Sequence, residues 1–376
     1  MRQAQRGLNS FDKMAPQEST MVIRQTLRPR LPHPLGPCLV VLAGFWLAGS
    51  AHAQASQDTG SSGNSWTMAV ENDLFAGSQR DADYTGGFLF TLSGPTASSA
   101  WLSLDRVLGA IDSLWLPNRG SDPSSKAGLQ FGLQAWTPND TDSSAPIYDD
   151  RPYASLVSWT STRMTVGSDS EPAYASSLTI GLLGANFAED VHKETHKLFG
   201  SGSTPQGYDH QISDGGEPTL MYALRRQALL GASRVGGMST DFKWGVGGSL
   251  GYITEATLSA SGRIGRFSTP WWSMSSENTA YFAPRGSAGD LYLSYGVNGK
   301  LRGYNVLLQG QFRRSDVTFN TDEVEPLIGE GWFAVTWGIT NSCTLSYLMR
   351  YQTADIKRGT GSRDYGSGGV YFNYGY

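Results

Sequence analysis

The chain ends in Gly369-Val370-Tyr371-Phe372-Asn373-Tyr374-Gly375-Tyr376. In an extended strand, alternate residues point to opposite faces. One face of this stretch is apolar and aromatic, and the other is mixed; the apolar face consists of Val370, Phe372, Tyr374 and Tyr376. Such a face would promote aggregation on a soluble protein, whereas it suits contact with lipid. The stretch predicts the terminal strand of an outer-membrane β-barrel, and the alternative is an edge strand of a soluble sandwich.

Similar alternating segments recur along the chain, which is rich in glycine (46 residues) and 11% aromatic. With the first hairpin (66–70 and 88–93) and the last strand they make about thirteen candidate strands; the others are 128–136, 153–166, 174–183, 219–230, 242–252, 256–265, 291–297, 304–312, 332–339 and 344–351. Single-chain bacterial barrels have even strand numbers, so about twelve or fourteen strands are expected. After residue 53 no apolar run is long enough for a helical membrane span. The fold class is therefore an all-β, antiparallel transmembrane barrel.

The first part of the chain has the pattern of an export signal. Three arginines precede an apolar run from Leu35 to Leu47, and Ala51-His52-Ala53 has the small-x-small form that signal peptidase cuts. We expect residues 1–53 to be a signal peptide, with an over-long start ahead of Met21, and residues 54–376 to form the barrel. A membrane anchor fits less well because the run is short.

Net charge and cysteine content argue against a nucleic-acid-binding protein and against a disulfide-stabilised one. Residues 1–53 hold 6 of the 29 basic and 2 of the 33 acidic residues, so the remaining chain has a net charge near −8. No basic stripe exists to neutralise phosphates, so no nucleic-acid partner is expected. Cys343 is a lone cysteine after the signal, which excludes an internal disulfide.

Strand parity places the polar clusters of the sequence. If the chain starts in the periplasm, the connections after the first, third and fifth strands (74–83, 138–152 and 185–216) lie at the cell surface. The first is bounded by Glu71-Asn72-Asp73-Leu74-Phe75 and Asp83-Tyr84-Thr85-Gly86-Gly87. Residues 94–126 would be periplasmic, and helical spacing from Trp101 to Leu108 predicts a short amphipathic helix under the barrel or at the interface.

Histidines cluster in the third surface connection. Residues 187–199 are predicted to form a helix, with Glu189, His192 and His196 on one face. A zinc site is one interpretation, but the intervening residues do not match the H-E-x-x-H arrangement. A general base that takes a proton from water is the favoured one, because imidazole titrates near neutrality. A packing role within the loop is the structural alternative.

The remaining candidates have functional and structural interpretations. Asn72 and Asp73 suit a hard cation such as calcium, or they are a turn-forming pair at a strand end. Thr85 across the hairpin and His196 nearby favour the functional interpretation. Arg151 follows two aspartates and is interpreted as an ion-paired rim residue, with a substrate phosphate as the alternative, and Gln211 is a candidate to line the pocket.

These residues occur within a longer series of motifs. In order along the chain they are Glu71-Asn72-Asp73-x-Phe75, Asp83-Tyr84-Thr85-x-Gly87, Trp136-Thr137-Pro138, Asp150-Arg151-Pro152-Tyr153-Ala154, His196-Lys197-Leu198-Phe199-Gly200 and Tyr208-Asp209-His210-Gln211-Ile212. The series resembles the lipid A 3'-O-deacylase (LpxR) family over residues 64–230. The rest of the chain is similar to it as barrel strands.

The resemblance implies a twelve-stranded barrel in the outer membrane of a Gram-negative bacterium. It implies a calcium-dependent esterase that removes the 3'-linked acyloxyacyl chain of lipid A, the lipid of lipopolysaccharide. The implied catalytic residues are Asn72, Asp73, Thr85 and His196, with Asn72 and Asp73 near the metal. His192, Gln211 and Arg151 would contact substrate.

Two positions depart from the family pattern. His192 stands where the family has a glutamine, and residues 139–150 lack the lysine that the family has there. Arg151 or Lys193 is a possible substitute for that cation. These departures leave two alternatives open, an outer-membrane phospholipase and a non-catalytic barrel that serves as a channel or structural protein.

Overall fold

A computed structural model describes residues 63–77, 82–116, 126–166, 171–199, 205–273 and 287–376. These residues form a closed barrel of twelve antiparallel strands in which each strand pairs with its neighbours in the chain. The strands are β1 Ser65–Asn72, β2 Asp83–Ser93, β3 Lys126–Thr137, β4 Ala154–Thr165, β5 Ala173–Leu183, β6 Glu217–Val235, β7 Met238–Gly251, β8 Ile253–Arg266, β9 Leu291–Asn305, β10 Leu327–Gly338, β11 Cys343–Gln352 and β12 Tyr365–Gly375. The predicted fold class is confirmed, whereas the predicted signal peptide lies outside the described residues.

The terminal strand closes the barrel as its alternation predicts. β12 pairs with β1, where Val370 lies opposite Val70 and Phe372 opposite Met68. Val70 is 43% exposed and Met68 is 41% exposed, while Tyr371 and Asn373 on the other face are buried. The apolar face therefore points outward and the mixed face points into the barrel.

The barrel interior is polar and contains buried ion pairs. Burying a charge is costly unless a partner of opposite sign accompanies it. Inward-facing cations and carboxylates form such pairs, with N–O distances of 2.9 Å for Lys300–Glu330 and 2.8 Å for Arg302–Glu255 on neighbouring strands, and 3.5 Å for Arg350–Glu71 across β12. These three pairs lie near the end of the barrel where β1, β9 and β11 finish.

Four α-helices occur in the described parts of the connections. They are α1 Pro95–Ser99, α2 Asp105–Trp115, α3 Phe187–Phe199 and α4 Val306–Gln309. The predicted helix 187–199 is confirmed as α3. The connection between β2 and β3 is helical as expected, although α2 starts later than the spacing from Trp101 suggests. Among the described residues, no helix is long and apolar enough to cross a membrane.

One predicted strand is wrong. Residues 304–312 were expected to be a separate strand, but β9 runs on to Asn305 and α4 follows it. The side chain of Asn305 accepts from the backbone N–H of Leu307 at 3.1 Å and so caps this helix. Val306, Leu307 and Leu308 are all buried, which a half-buried strand cannot achieve. Removing this candidate brings the strand number to twelve.

The alternation of strand direction divides the connections between the two ends of the barrel. Those after β1, β3, β5, β7, β9 and β11 lie at one end, and those after β2, β4, β6, β8 and β10 lie at the other. The three connections singled out from the sequence therefore share one end, as expected. With the start of β1 in the periplasm, this end is the extracellular one.

Candidate active site

Asn72 joins the two sides of the first hairpin. It is the last residue of β1 and caps a 3₁₀ turn, Asp73–Ala76. Its side-chain oxygen accepts from the backbone N–H of Leu74 at 2.7 Å. Its side-chain nitrogen donates to the backbone carbonyl of Thr85 at 2.5 Å. The Asn-Asp pair thus does form a turn, and the same amide also fixes the start of β2.

Asp73 is buried at the base of this turn. The residue is 1% exposed, and its Oδ2 accepts a hydrogen bond from the backbone N–H of Ala82 at 2.7 Å. The turn lies close to β12, where a Cβ added at Gly368 would be 2.8 Å from Cβ of Phe75. Glycine at this position allows the turn to pack against the rim. The bond to Ala82 thus ties the carboxylate to the far side of the connection, next to the start of β2.

Thr85 completes a compact group with these two residues. It is 4% exposed, and its hydroxyl lies 2.6 Å from the hydroxyl of Thr137 at the end of β3. The structure thus brings Asn72, Asp73 and Thr85 together in one hydrogen-bonded hairpin. His196 belongs to α3 at the same end of the barrel. Its side chain is outside the described set, so the convergence of all four groups stays a prediction.

His192 anchors α3 to the loops beneath it. It is buried, and Nδ1 lies 3.0 Å from the hydroxyl of Tyr208. Ala188, one turn earlier, packs with Tyr208 and Tyr153 in a small apolar cluster. A Cβ at Gly207 would lie 2.4 Å from the ring of Tyr153, so this close packing requires glycine. The predicted contact of His192 with substrate remains a prediction, while its bond to Tyr208 positions the helix.

The connection between β3 and β4 links the hairpin to α3. Thr137 at its start contacts Thr85, and the carbonyl of Thr141 accepts from the hydroxyl of Tyr153 at 3.2 Å. The same carbonyl accepts from the backbone N–H of Gln206 at 3.0 Å. A continuous set of contacts therefore runs from Thr85 to the base of α3.

Both the oxygen and the nitrogen of the Gln211 side-chain amide are hydrogen-bonded. Its oxygen accepts from the hydroxyl of Ser155 at 2.9 Å, and its nitrogen donates to Asp214 at 3.1 Å. The residue is 2% exposed. These bonds join the β5–β6 connection to the start of β4. Gln211 was expected to line the pocket, and that role remains a prediction beside this structural one.

Arg151 lies at the centre of a buried charge cluster. Its guanidinium binds the carboxylate of Asp355, and Nε lies 3.5 Å from Asp83. Arg363 binds the same Asp83 at 2.9 Å and also Asp150 at 3.2 Å. The adjacent aspartates suggested by the sequence are thus not the main partners of Arg151, because its partners come from the β11–β12 connection and from the start of β2.

The charge cluster shifts the titration of its members. Burial alone would raise the pKa of Asp355, but the nearby charges of Arg151 and Arg302 hold that pKa below its usual value. Burial likewise opposes the charge on Arg363, while Asp83 and Asp150 raise its pKa. Both groups stay charged over the physiological range, and the cluster acts as a fixed element of the extracellular rim.

His210 forms a separate contact among three loops. Nδ1 lies 2.6 Å from Asp316 in the β9–β10 connection, and Nε2 lies 3.1 Å from the carbonyl of Ser144. The hydrogen bond to Asp316 raises the pKa of His210. His192 and His210 therefore do not share one site, since they have different partners.

The metal prediction is partly consistent with the donors present. Asn72 and Asp73 provide amide and carboxylate oxygens, which suit calcium in kind. Each accepts a backbone N–H, which leaves a second lone pair on each bonded oxygen. Among the described residues, no group of three or more His, Cys, Asp or Glu is placed to hold a metal. Within the described part of the chain, further ligands for a calcium ion would be carbonyls, with water or substrate beside them.

Comparisons with known proteins agree with this architecture. A family model described as outer membrane protein LpxR matches residues 39–374. The structure of LpxR from Salmonella typhimurium superposes with a TM-score of 0.65 at 14% identity, covering 82% of this chain and 99% of that one. The beta domain of the Bordetella autotransporter BrkA gives a TM-score of 0.38 at 9% identity, over 83% and 98% of the two chains. A search of curated proteins found no match.

Proposed function

Because the chain belongs to the LpxR family and is an outer-membrane barrel of a Gram-negative bacterium, we propose that it is an esterase that removes the 3'-linked acyloxyacyl chain of lipid A. The observation that carries the proposal is the first hairpin, where Asn72 is hydrogen-bonded to Thr85 and Asp73 to Ala82. This group lies at the barrel end that faces the outer leaflet, which contains lipopolysaccharide. The helix with His196 is at the same end.

The proposed chemistry is attack of water on an ester carbonyl. His196 takes a proton from the water as it attacks and gives it to the sugar oxygen as the C–O bond of the ester breaks, so the products are the free acyloxyacyl acid and a hydroxyl on the sugar. Thr85 orients the substrate or donates to the oxyanion, since its hydroxyl is held 2.6 Å from Thr137. This scheme requires no serine nucleophile.

Calcium is the proposed cofactor. Asn72 and Asp73 would hold it, and a bound calcium ion would polarise the ester carbonyl. The burial of Asp73 and its bond to Ala82 keep the carboxylate in place for this role. Residues that bind the ion therefore belong to the same hairpin as Thr85.

A phospholipase is the second candidate. No lysine occurs in residues 139–150, and Arg151 cannot readily replace it because Arg151 is 2% exposed and ion-paired with Asp83 and Asp355. Lys193 is paired with Glu189, and its side chain is 33% exposed. A site whose cations are already ion-paired would discriminate less between lipid A and glycerophospholipids. The ester chemistry is the same for both substrates.

A channel fits the interior less well. The inward-facing ion pairs Lys300–Glu330 and Arg302–Glu255 are buried, with side chains no more than 6% exposed. Separating such pairs to open a path costs about 3–5 kcal/mol for each broken pair. The buried ion pairs therefore favour a barrel that serves as a rigid scaffold for a site at its rim over a barrel that conducts solutes.

Mass spectrometry of lipid A from cells that express the chain tests the proposal. We expect loss of the 3'-acyloxyacyl group, abolished in His196→Ala and by calcium chelation. Glu194→Ala is the matched control, because Glu194 is on the same helix, is 71% exposed and forms a surface pair with Lys197. Unchanged lipid A with altered phospholipid would favour the phospholipase. Unchanged lipids with faster solute uptake would contradict both enzyme proposals.

A further inference from the structure

Helix α2 lies on the outside of the barrel. It contacts residues of β4, β5 and β6, including Arg163, Ser176 and Tyr222. Arg163 is opposite Ser176 in the sheet and shares a face of β4 with Trp159, which is opposite Ile180. Ile180 is an outward residue, 47% exposed. The helix therefore packs against the wall that faces lipid elsewhere around the barrel.

Polar bonds fix the helix to this wall. Arg163 binds the carboxylate of Asp105 at 2.8 Å, at the start of the helix. Near its end, Asp112 accepts from the hydroxyl of Ser176 at 2.6 Å and from that of Tyr222 at 2.9 Å. Asp112 is 2% exposed and Leu108, one turn before it, is fully buried. One face of the helix is thus committed to the barrel.

These bonds explain why a helix is needed here. The outward positions Arg163, Ser176 and Tyr222 are polar, and a charge facing lipid is expensive. The helix supplies the carboxylates that these groups require. It replaces lipid over this part of the wall and moves the contact with lipid to its own free face.

The free face of this segment is apolar and exposed. Its exposed fractions are 90% for Trp101, 38% for Leu102, 52% for Val107, 76% for Leu114 and 66% for Trp115. Arg106 is also exposed. This composition is typical of a helix that lies in a membrane interface: it has tryptophan at both ends, aliphatic residues between them and a cation that can bind lipid phosphate.

We propose that the segment from Trp101 to Trp115 is embedded in the phospholipid surface of the inner leaflet. The connection after β2 lies at the periplasmic end, where that leaflet meets the barrel. The free face continues the lipid-facing wall of the same strands, which Ile180 and Leu220 mark with exposures of 47% and 54%. This inference does not depend on the proposed esterase activity.

Site-directed spin labelling in vesicles tests the inference. Leu114→Cys is made in a Cys343→Ser background, labelled with a nitroxide and refolded into phosphatidylethanolamine–phosphatidylglycerol vesicles. Oxygen partitions into lipid and a nickel chelate stays in water, so their accessibility ratio reports the environment. We expect the ratio at position 114 to exceed that of an aqueous control at least about fivefold.

Two reference labels calibrate this experiment. Phe333→Cys marks the lipid-facing wall, since Phe333 is an outward residue of β10 and is 42% exposed. Asp142→Cys marks an exposed extracellular loop. Val107→Cys repeats the measurement on the same face in case the first variant does not fold. Ratios at 107 and 114 that match Asp142 would overturn the inference and indicate a surface for a periplasmic protein.

Discussion

The side-chain amide of Asn72 donates to the backbone carbonyl of Thr85, 2.5 Å away across the first hairpin. The same side chain caps the turn that begins with Asp73. One residue therefore determines both the shape of the turn and the position of the threonine. Structural and functional interpretations of Asn72 are not exclusive, since the turn is what brings the proposed site residues together.

Replacing Asn72 should affect both stability and activity. Asn72→Ala removes the cap on Leu74 and the bond to Thr85, so we expect the free energy of unfolding to fall by about 1–2 kcal/mol. Urea titration of the refolded protein in vesicles measures this change. Asn72→Asp keeps the cap on Leu74 but loses the donor to Thr85, so its free energy of unfolding should lie between those of the native protein and Asn72→Ala. Equal stability of all three proteins would contradict the described role.

Thr85 and Thr137 provide a matched pair of variants. Their hydroxyls contact each other, so Thr85→Val and Thr137→Val remove the same contact from opposite sides. If the Thr85 hydroxyl acts on the substrate, Thr85→Val should lower lipid A deacylation by about 10²-fold, as loss of an oxyanion donor does, while Thr137→Val has a much smaller effect. Equal losses in the two variants would assign Thr85 a structural role.

Arg151 should be critical for folding. Arg151→Met leaves Asp83 and Asp355 buried with a partner removed, and we expect a cost of about 3–5 kcal/mol. Arg358→Met is the control, because Arg358 is 57% exposed and its bond to Glu323 should contribute below about 1 kcal/mol. Urea midpoints of the two variants test the difference. Similar midpoints would show that the cluster is not a folding element.

The contacts of His210 should depend on pH. Both of its partners, Asp316 and the carbonyl of Ser144, are acceptors, so the imidazolium with two N–H donors satisfies both. Because the folded-state pKa is raised, this stabilisation is fully present below the unfolded value of 6.5 and is lost as pH rises through the folded-state pKa.

Urea midpoints measured against pH test this behaviour. The difference between the native protein and His210→Gln should be largest in the acidic range and should shrink above neutrality. Asp316→Asn serves as the second variant, since it removes the charge that raises the pKa. A difference that grows with pH would contradict the assignment.

Much of the site's location was predictable, because strand parity depends on local alternation. The three connections 74–83, 138–152 and 185–216 were correctly placed at one end. The partners of Arg151 were not predictable, because Asp355 lies 204 residues further along the chain. The candidate strand 304–312 was wrong because three consecutive apolar residues fit a buried helix as well as a strand.

The sequence by itself determined the barrel and the identity of the polar groups at its rim. Both are local properties, since alternation in a strand such as Val370 to Tyr376 reports which face meets lipid. Tertiary structure decided which polar groups meet: Asn72 with Thr85, Arg151 with Asp355, and Asp112 with Tyr222 on the outer wall. The first pair lies within one hairpin, whereas the other two join segments 204 and 110 residues apart, which only the folding of the whole sheet brings into contact.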